Sequence, residues 1–459
     1  AETLFKFTAG ATADGKLVSV DVAFWSNTGH ATGISPVIAW QCARSLDNVY
    51  NIPNMRVQGH LVKTNTVMSR PMRGAGNPEG IAAIECIIEQ VADAIGMAPE
   101  EIRQLNFYKD NDTLVCGQTL TGSAHARSMQ QVMTAINWSD RKASIEAFNK
   151  THPLKKRGLA VVPVRVGVGV TPFRTFLQTT GTVHLMMDGG VVVHHSGIEM
   201  GQGVHTKIAV VVANALNVPL SSIRVTETDS SIVPHGAESG GSTTADLAGG
   251  AIVDACRQLS QRLAPFRESL GPSASMEQLV AAVYEQQLPL SAVGHYTYPI
   301  AKDDVGWHYF TFGAAAVEAE VDLGSGVVRF PSAQVALDVG NTASPAIDIG
   351  QVEGALVKGL GWTCIEELRW DQDARMTNDY VVPNSVLVPS EFGVHLLRSD
   401  GPGLATSRGV GEPPFCTGVA GALAVRRAIA AATSRPLPDA LRLPLTPQRV
   451  RQLVGSLCE

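Results

Sequence analysis

The segment SRGVGEPPFCTGVAGALAVRRAIAAAT, residues 407–433, shows the local design that recurs along this chain, in which a glycine-rich turn leads directly into an apolar helix. The apolar run predicts a helix over 414–432, and Pro413 and Pro414 suit its first positions, where a missing N–H costs nothing. Glu412 therefore falls at or near the N-cap. There the helix dipole stabilises its anion while burial destabilises it. Two roles are open for this carboxylate: a general base, or a helix cap that contributes ~1 kcal/mol.

The same design occurs three more times, in RPMRGAGNPEG, SGIEMGQGVHTK and ESGGSTTADLAGG, which are residues 70–80, 196–207 and 238–250. The first turn of a helix leaves backbone N–H groups unpaired and can hold an anion, and glycines let a ligand approach the backbone closely. One such junction is usually only a turn, whereas four predict convergence on one large polar or phosphorylated ligand. The sequences GQGVHT and GVGEPP lack the third glycine of G-x-G-x-x-G, and no G-x-x-x-x-G-K-[ST] is present, which disfavours a nucleotide on a Rossmann unit.

Three polar side chains in these segments are candidate ligand contacts. Arg73 stands between small residues, so its guanidinium either points inward at an oxyanion or lies at the surface. Gln202 stands between glycines and offers a donor and an acceptor, or is simply a turn residue. Gln351 is predicted to open another apolar helix and is interpreted in the same way.

The histidines lack metal-ligand spacing, and strand alternation sends His194 and His195 to opposite faces.

Three hairpin patterns and several helical patterns predict an α+β fold with mixed or antiparallel sheets. The hairpins are 3–25, 181–195 and 315–339, each around an Asp/Gly turn. The predicted helices are 79–96, 99–107, 139–150, 204–217, 246–265, 351–360 and 414–432, with a short last helix announced by Thr446-Pro447.

Domain boundaries follow from the most polar segment, 139–158, in which a charged helix precedes a proline and the basic cluster 155–157, predicted to be a solvated linker. We predict domains at 1–152 and 153–435, followed by a C-terminal tail with a short helix at 436–459.

Composition excludes several classes of protein. A net charge of −6 over 459 residues, with no basic stripe, disfavours nucleic acid. The seven cysteines are odd in number and never form C-x-x-C, which argues against a zinc ribbon or a disulfide framework and favours the cytoplasm. No uncharged run reaches the ~18–20 residues of a membrane span. The chain also starts abruptly in a strand pattern, so we expect an upstream part in this gene or another.

Five motifs in this order, RGAGNPEG, GIEMGQGVHTK, SGGSTTADLAGGAIVDAC, SPAIDIGQVEGALVKGLG and RGVGEPPF, resemble the molybdenum-binding part of the xanthine dehydrogenase/aldehyde oxidase family. The resemblance runs from near residue 3 to the C-terminus. It implies a two-domain architecture with mixed sheets and helices opened by glycine-rich turns. It also implies a molybdopterin cofactor, with or without a cytosine dinucleotide, whose dithiolene holds the metal so that no protein side chain is a metal ligand.

The resemblance assigns roles residue by residue. Glu412 matches the family's catalytic base in the hydroxylation of an electron-poor carbon, with oxygen from water. The residues implied to contact the cofactor are Arg73, Gly74, Ala75, Met200, Gly201, Gln202, Ser239, Gly240, Gly241, Ser242, Thr244 and Gln351. Electrons are expected to leave through [2Fe-2S] clusters and FAD on partner chains, in a dimer of heteromers.

The sequence departs from the family's pattern in the substrate pocket. Gln41 stands where xanthine-oxidising members carry an arginine, and Ala75 stands where most have an aromatic residue, while an aromatic remains near Phe173. A wider pocket without a fixed positive charge favours a bulkier N-heterocycle or an aldehyde. Three alternatives stay open: xanthine dehydrogenase proper, a molybdopterin-binding assembly protein, and a scaffold that has lost function. The family's G-G-G-F-G-G-K segment is missing, so the chain is expected to be one subunit of a split enzyme or a C-terminal fragment.

Overall fold

A computed structural model of the chain describes residues 2–170, 177–233, 236–299, 306–373, 375–404, 407–433 and 441–458. The α-helices within these ranges are α1 Ser35–Ser45, α2 Asn77–Ile95, α3 Pro99–Leu105, α4 His125–Ala135, α5 Trp138–Thr151, α6 Val204–Leu216, α7 Thr244–Leu270, α8 Met276–Glu285, α9 Pro345–Cys364, α10 Pro413–Cys416, α11 Val419–Ala430 and α12 Pro447–Cys458. The strands are β1 Thr3–Ala11, β2 Leu17–Gly29, β3 Asn54–Lys63, β4 Lys155–Val170, β5 Gln178–Leu185, β6 Val191–His195, β7 Ile223–Val225, β8 Ser291–Thr297, β9 Trp307–Asp322, β10 Val328–Asp338 and β11 Glu391–Leu397.

These strands form three sheets with the orders β1-β2-β3, β11-β10-β9-β4 and β7-β6-β5-β8. The three predicted hairpins are confirmed as the antiparallel pairs β1/β2, β5/β6 and β9/β10. Each sheet also contains one parallel pair, β2/β3, β10/β11 or β6/β7, because those connections cross over rather than turn back. The mixed α+β architecture expected from the sequence is therefore confirmed.

The largest hydrophobic core lies between the β11-β10-β9-β4 sheet and helices α9 and α11. Strand and helix approach closely there because the facing residues are small. A Cβ on Gly158 of β4 would lie 2.1 Å from the Ala424 carbonyl oxygen of α11, so only glycine fits. Because α11 is buried on nearly every face, the glycine-rich turn that precedes α10 and α11 is attached to a rigid part of the core.

A buried ion network joins α2, α3 and α11. The fully buried Arg103 guanidinium donates to Glu85 at 2.8 Å and to Glu89 at 2.9 Å. Glu89 also accepts from Arg427 of α11 at 3.0 Å, and Arg426 lies 3.8 Å from its second oxygen. This network fixes α2, the helix that follows the RGAG turn, against α11.

The structure corrects several predictions about helices. The apolar run at 414–432 is two helices, α10 and α11, with a break at Gly418, which packs against Gly359 of α9 so closely that a Cβ on Gly418 would lie 2.5 Å from the Gly359 Cα atom. The prediction that Gln351 opens a helix is wrong, because α9 begins at Pro345 and Gln351 lies near the end of its second turn. The helices α1, α4 and α8 were not predicted from the sequence.

The basic cluster at 155–157 is not a linker. It begins β4, and Arg157 pairs across the sheet with Glu318 and Glu320 of β9. Buried hydrogen bonds also cross the proposed boundary at residue 152, since Asn48 donates to the Pro163 carbonyl at 2.8 Å. The domain bounds derived from the sequence stay a prediction.

Candidate active site

The four glycine-rich turns meet at one place in the structure. We call them the first turn (70–80), second turn (196–207), third turn (238–250) and fourth turn (408–414). The backbone N–H of Gly74 in the first turn donates to Glu412 Oε1 of the fourth at 3.0 Å, and the Ser242 hydroxyl of the third donates to Glu412 Oε2 at 3.4 Å. The second and third turns are joined by the Ile198 N–H, which donates to the Ser239 hydroxyl at 2.7 Å.

Glu412 occupies the N-cap position of α10, as the sequence predicts, but its side chain makes no hydrogen bond to that helix. The carboxylate reaches instead to the first and third turns, and its own N–H donates to the Ser242 hydroxyl at 2.9 Å. The helix-cap role is therefore wrong. Burial raises the pKa of Glu412 above its ordinary value, while the Gly74 N–H, the Arg73 charge and the Ser242 hydroxyl lower it. A carboxylate whose pKa is raised by burial is a stronger base than an exposed one.

Two residues beside this carboxylate have strained backbones. Ala75 has φ +43° and Ser242 has φ +59°, in the left-handed region that non-glycine residues rarely adopt. Such conformations cost ~1–3 kcal/mol each and cluster at functional sites. In the first turn Ala75 stands between Gly74 and Gly76, which also have positive φ, and this succession of left-handed residues aims the Gly74 N–H at Glu412.

Arg73 lies within the cluster rather than at the surface. Its Nε donates to the Gly411 carbonyl oxygen, and its Nη2 donates to the Gln351 carbonyl oxygen at 3.3 Å and to Gln351 Oε1 at 3.2 Å. The Gln351 amide in turn donates to the Gly201 carbonyl oxygen at 3.5 Å. Arg73 and Gln351 thus connect the first, second and fourth turns.

Helices α6 and α9 are held together behind this network by a buried ion pair. Lys207 Nζ lies 2.6 Å from Asp348 Oδ1, and the Thr342 hydroxyl donates to the other oxygen of Asp348. A Cβ on Gly203 would lie 2.6 Å from the Ile347 side chain, so the start of α6 fits against α9 only with glycine there. These contacts set where Gln351 lies relative to the second turn.

The second turn already holds an anion, which is the carboxylate of Glu199. It accepts from the backbone N–H groups of Gly201 at 2.9 Å, Gly203 at 2.9 Å and His205 at 3.2 Å. Burial opposes ionisation, but these N–H groups outweigh it and lower the pKa of Glu199. Sequence reasoning missed Glu199, although an acidic residue just before a glycine-rich helix start is the available signal.

Gln202 is engaged within its own turn. Its Oε1 accepts from the Met200 N–H at 2.5 Å and its Nε2 donates to the Ile198 carbonyl oxygen at 2.7 Å. Each end of a side-chain amide can form a second hydrogen bond, so Gln202 keeps one acceptor position and one donor hydrogen for a ligand.

Parts of the second and third turns are open. A Cβ built on Gly201 or on Gly240 would meet no atom within 4 Å. Gly201 needs glycine for its φ of +92°, and Gly241 for its φ of +60°. Gly240 is neither crowded nor in a left-handed conformation, so its backbone is open on that side and its predicted contact with a ligand stays a prediction. Thr244, the other predicted contact in this segment, is the first residue of α7.

The predicted substrate-side residues are placed in part. Gln41 lies on α1, and its Oε1 accepts from Asn77 Nδ2 at 2.8 Å. Asn77 belongs to the first turn, and the same nitrogen donates to the Gly74 carbonyl oxygen at 2.8 Å, so Gln41 is hydrogen-bonded directly to that turn and is two hydrogen bonds from Gly74. Asn77 was missed from the sequence. Phe173 lies outside the described residues.

His194 and His195 lie on opposite faces of their strand, as the sequence predicts. His195 of β6 is buried and His194 beside it is not. His195 Nδ1 accepts from the Gly197 N–H at 3.0 Å, and burial lowers its pKa to about 4, with the neighbouring His205 acting in the same direction. Among the described residues, no three His, Cys, Asp or Glu side chains are placed to hold a metal ion. A cleft of about 800 Å³ beside α9, lined by Glu353 and Lys358, contains none of the candidate residues.

Comparison with known families identifies the class of protein to which these turns and this carboxylate belong. Residues 131–389 and residues 1–107 match two family models, each described as a molybdopterin cofactor-binding domain. The chain belongs to this family, and it is the molybdenum-binding part found in the xanthine dehydrogenase/aldehyde oxidase group, as its motifs predicted.

Curated relatives are similar over nearly the whole chain. The chain is 37% identical to a xanthine dehydrogenase of Emericella nidulans, over 97% of this chain and 34% of that protein. It is 35% identical to a xanthine dehydrogenase/oxidase of Gallus gallus, over 98% of this chain and 34% of that protein. The chain therefore spans about a third of the length of these relatives.

Solved structures share the fold. Quinoline 2-oxidoreductase from Pseudomonas putida 86 matches with a TM-score of 0.88 at 20% identity, over 100% of this chain and 62% of that one. The aldehyde oxidoreductase from Desulfovibrio desulfuricans matches with a TM-score of 0.85 at 22% identity, over 98% of this chain and 49% of that one. In the described part of the chain, no helix combines the length and apolar character needed to cross a membrane.

Proposed function

We propose that this chain carries the molybdopterin active site of a molybdenum hydroxylase, which inserts oxygen from water into an N-heterocycle or an aldehyde. The observation that carries the proposal is the carboxylate of Glu412. It lies where four glycine-rich turns meet, its pKa is raised by burial, and its side chain makes no hydrogen bond to its own helix. A cofactor-binding protein without catalysis would have no use for a base in this position.

The residues at the meeting point fit the cofactor. The open sides of Gly201 and Gly240 allow close approach, and the Arg73 guanidinium and Gln351 amide supply polar groups beside it. When bound, the cofactor supplies the redox centre that takes up the substrate's electrons. The residues we propose to contact it are Arg73, Gly74, Ala75, Met200, Gly201, Gln202, Ser239, Gly240, Gly241, Ser242, Thr244 and Gln351.

Glu412 is proposed to take the proton from the water-derived oxygen as that oxygen attacks the substrate carbon. The Gly74 N–H and the Ser242 hydroxyl hold the carboxylate in one orientation before it accepts the proton. Burial supplies the basicity, because it destabilises the anion relative to the neutral acid.

The substrate pocket favours a bulkier N-heterocycle or an aldehyde over xanthine. Gln41 is uncharged, so it presents no fixed cation to an anionic oxopurine, and its amide oxygen accepts one hydrogen bond from Asn77. Ala75 offers no stacking wall. Xanthine oxidation is the alternative, supported by the names of the curated relatives.

The remaining parts of the enzyme are proposed to lie outside this chain. Relatives about three times as long leave room for [2Fe-2S] and FAD modules and for the rest of the first molybdopterin-binding domain. We propose a cytoplasmic complex, a dimer of heteromers, in which domains 1–152 and 153–435 of this chain enclose the pterin, with or without a cytosine dinucleotide, and the tail 436–459 follows them.

The central experiment replaces Glu412 by glutamine in the intact enzyme. Glu412→Gln keeps the shape of the side chain but cannot accept the proton, so turnover is expected to fall ~10²-fold or more while molybdenum and pterin content stay at the level of the unaltered enzyme. Full activity in the variant would refute the role of Glu412. A panel of purines, pyridines, quinolines and aldehydes on the unaltered enzyme identifies the substrate class.

A further inference from the structure

The fourth turn is fastened to strand β9 at Gly409, three residues before Glu412. The Gly409 N–H donates to the Tyr309 hydroxyl at 2.8 Å, and the Thr311 hydroxyl donates to the Gly409 carbonyl oxygen at 3.0 Å. Both partners come from β9, in the centre of the largest sheet. The turn that carries the proposed base is therefore held by side chains of a rigid element.

The Tyr309 hydroxyl is itself held from the other side. It donates to Asp246 Oδ2 at 2.7 Å, and Asp246 lies in the first turn of α7, four residues after Ser242. The same carboxylate oxygen accepts from the Tyr298 hydroxyl at 2.9 Å, and Oδ1 accepts from the Leu404 N–H at 3.0 Å. Asp246, Tyr298 and Tyr309 are all buried.

The path from Asp246 through Tyr309 to Gly409 connects the two turns whose residues meet at the base. Ser242 of the third turn bonds both the backbone N–H and the carboxylate of Glu412, and the latter contact is long, at 3.4 Å. A small shift of one turn against the other would break that contact, because hydrogen bonds weaken steeply with distance and angle. A hydroxyl that donates to a carboxyl oxygen and accepts from an amide N–H is polarised in both directions, which strengthens both hydrogen bonds.

We propose that Tyr309 is a positioning residue for the base. Its hydroxyl, anchored by Asp246, sets the turn that carries Glu412 against the turn that carries Ser242, and so fixes the orientation of the Glu412 carboxylate. This inference rests on the proposed function of Glu412. Tyr309 acts through the backbone of Gly409 and takes no part in the chemistry itself.

The chain supplies a matched control in Tyr298. Both tyrosine hydroxyls donate to the same oxygen of Asp246, but only that of Tyr309 also accepts from Gly409. Replacing either tyrosine by phenylalanine removes one buried hydroxyl from Asp246, so effects shared by the two variants arise from the lost hydrogen bond to Asp246. Effects seen only in Tyr309→Phe arise from the lost hydrogen bond to Gly409, which leads to Glu412.

The expected direction of the pH effect follows from the groups that face Glu412. These are the Arg73 guanidinium, the Cys416 thiol, the Gly74 N–H and the Ser242 hydroxyl. A loosened turn lengthens the contacts from Gly74 and Ser242, which stabilise the anion. The acid limb of the kcat/KM profile is therefore expected to move to higher pH in Tyr309→Phe and to stay in place in Tyr298→Phe.

The experiment uses both variants in the intact, cofactor-loaded enzyme, with xanthine and benzaldehyde as the substrates assayed. Amide hydrogen exchange in the 407–412 peptide is expected to become about tenfold faster in Tyr309→Phe and to change less than about twofold in Tyr298→Phe. In Tyr309→Phe we expect kcat to fall about tenfold with KM changed less than about twofold and molybdenum content unchanged, because the loss lies in alignment rather than in binding.

The proposal is overturned if amide exchange in the 407–412 peptide is unchanged in Tyr309→Phe, or if it is faster while kcat and the pH profile are unaltered. It is also overturned if Tyr309→Phe and Tyr298→Phe show equal effects, or if loss of molybdenum accounts for the loss of activity. If Tyr309→Phe fails to fold, Asp246→Asn, which weakens the anchor and keeps its shape, must show the same effects in smaller size. Full activity of Glu412→Gln would instead refute the function on which the inference rests, and the exchange result would still decide whether Tyr309 holds the turn.

Discussion

Glu89, in the buried network between α2, α3 and α11, is predicted to make a large, pH-dependent contribution to stability. Burial alone would raise its pKa, but Arg427 and Arg103 outweigh burial and lower the pKa from 4.5 to about 2. A lowered pKa contributes stability above the unfolded-state pKa, and this contribution is lost as the pH falls towards the folded-state value. The variant Glu89→Gln should therefore be destabilised most at neutral pH.

The magnitude follows from the shift. At about 1.4 kcal/mol per pKa unit, lowering the pKa from 4.5 to about 2 contributes roughly 3 kcal/mol at pH 7, and roughly 1 kcal/mol remains at pH 3. Removing one partner of a buried ion pair independently costs ~3–5 kcal/mol, because the remaining charge is left uncompensated. The two estimates agree near 3 kcal/mol.

The assay is urea unfolding of the unaltered protein and of Glu89→Gln between pH 7 and pH 3, followed by circular dichroism. The control is Glu101→Gln on α3, which removes an exposed carboxylate and should change the free energy of unfolding by less than ~0.5 kcal/mol. A Glu89→Gln effect below ~1 kcal/mol at pH 7, or one that does not shrink as the pH falls, would show that the network does not hold Glu89 ionised in the way described.

Two further predictions concern residues next to the site. Lys207→Met should lower the free energy of unfolding by ~3 kcal/mol or more, because Asp348 is left buried without its cation. The double variant Lys207→Met/Asp348→Leu should recover most of this loss. Equal losses for the two variants in urea unfolding would contradict the prediction. Gln41→Arg should raise kcat/KM for xanthine relative to benzaldehyde, because it adds a cation near the substrate side; an unchanged ratio in steady-state assays would place Gln41 outside the pocket.

The fold was predictable where local pattern and tertiary context agree. All three hairpins were predicted because β-forming alternation and an Asp/Gly turn specify a hairpin within one short stretch. Helices such as α2 and α6 follow a glycine-rich turn and an apolar periodicity. In contrast, α1 carries a weaker amphipathic pattern, and strands such as β4 are apolar on both faces and lack alternation. The parallel pairs β2/β3 and β10/β11 depend on crossovers, which no local pattern reveals.

The sequence predicted which turns form the site better than it predicted the contacts between their atoms. The convergence of the turns that carry Arg73, Ser242 and Glu412 was expected from their shared design, and the structure brings them into hydrogen-bond contact. The partners of these residues are 170 or more positions apart in sequence, so which atom meets which could not be inferred. The failed predictions have the same origin: Gln351 lies inside a helix, and its orientation is set by Lys207 and Asp348 rather than by a helix start.

The carboxylate of Glu199 bears on how the second turn keeps its shape when no ligand is bound. Because it compensates the backbone amides at the start of α6, the turn carries its own counter-ion and needs no external anion to fold. This side of the site is therefore preformed: its geometry is set by the polypeptide itself and does not depend on an occupant.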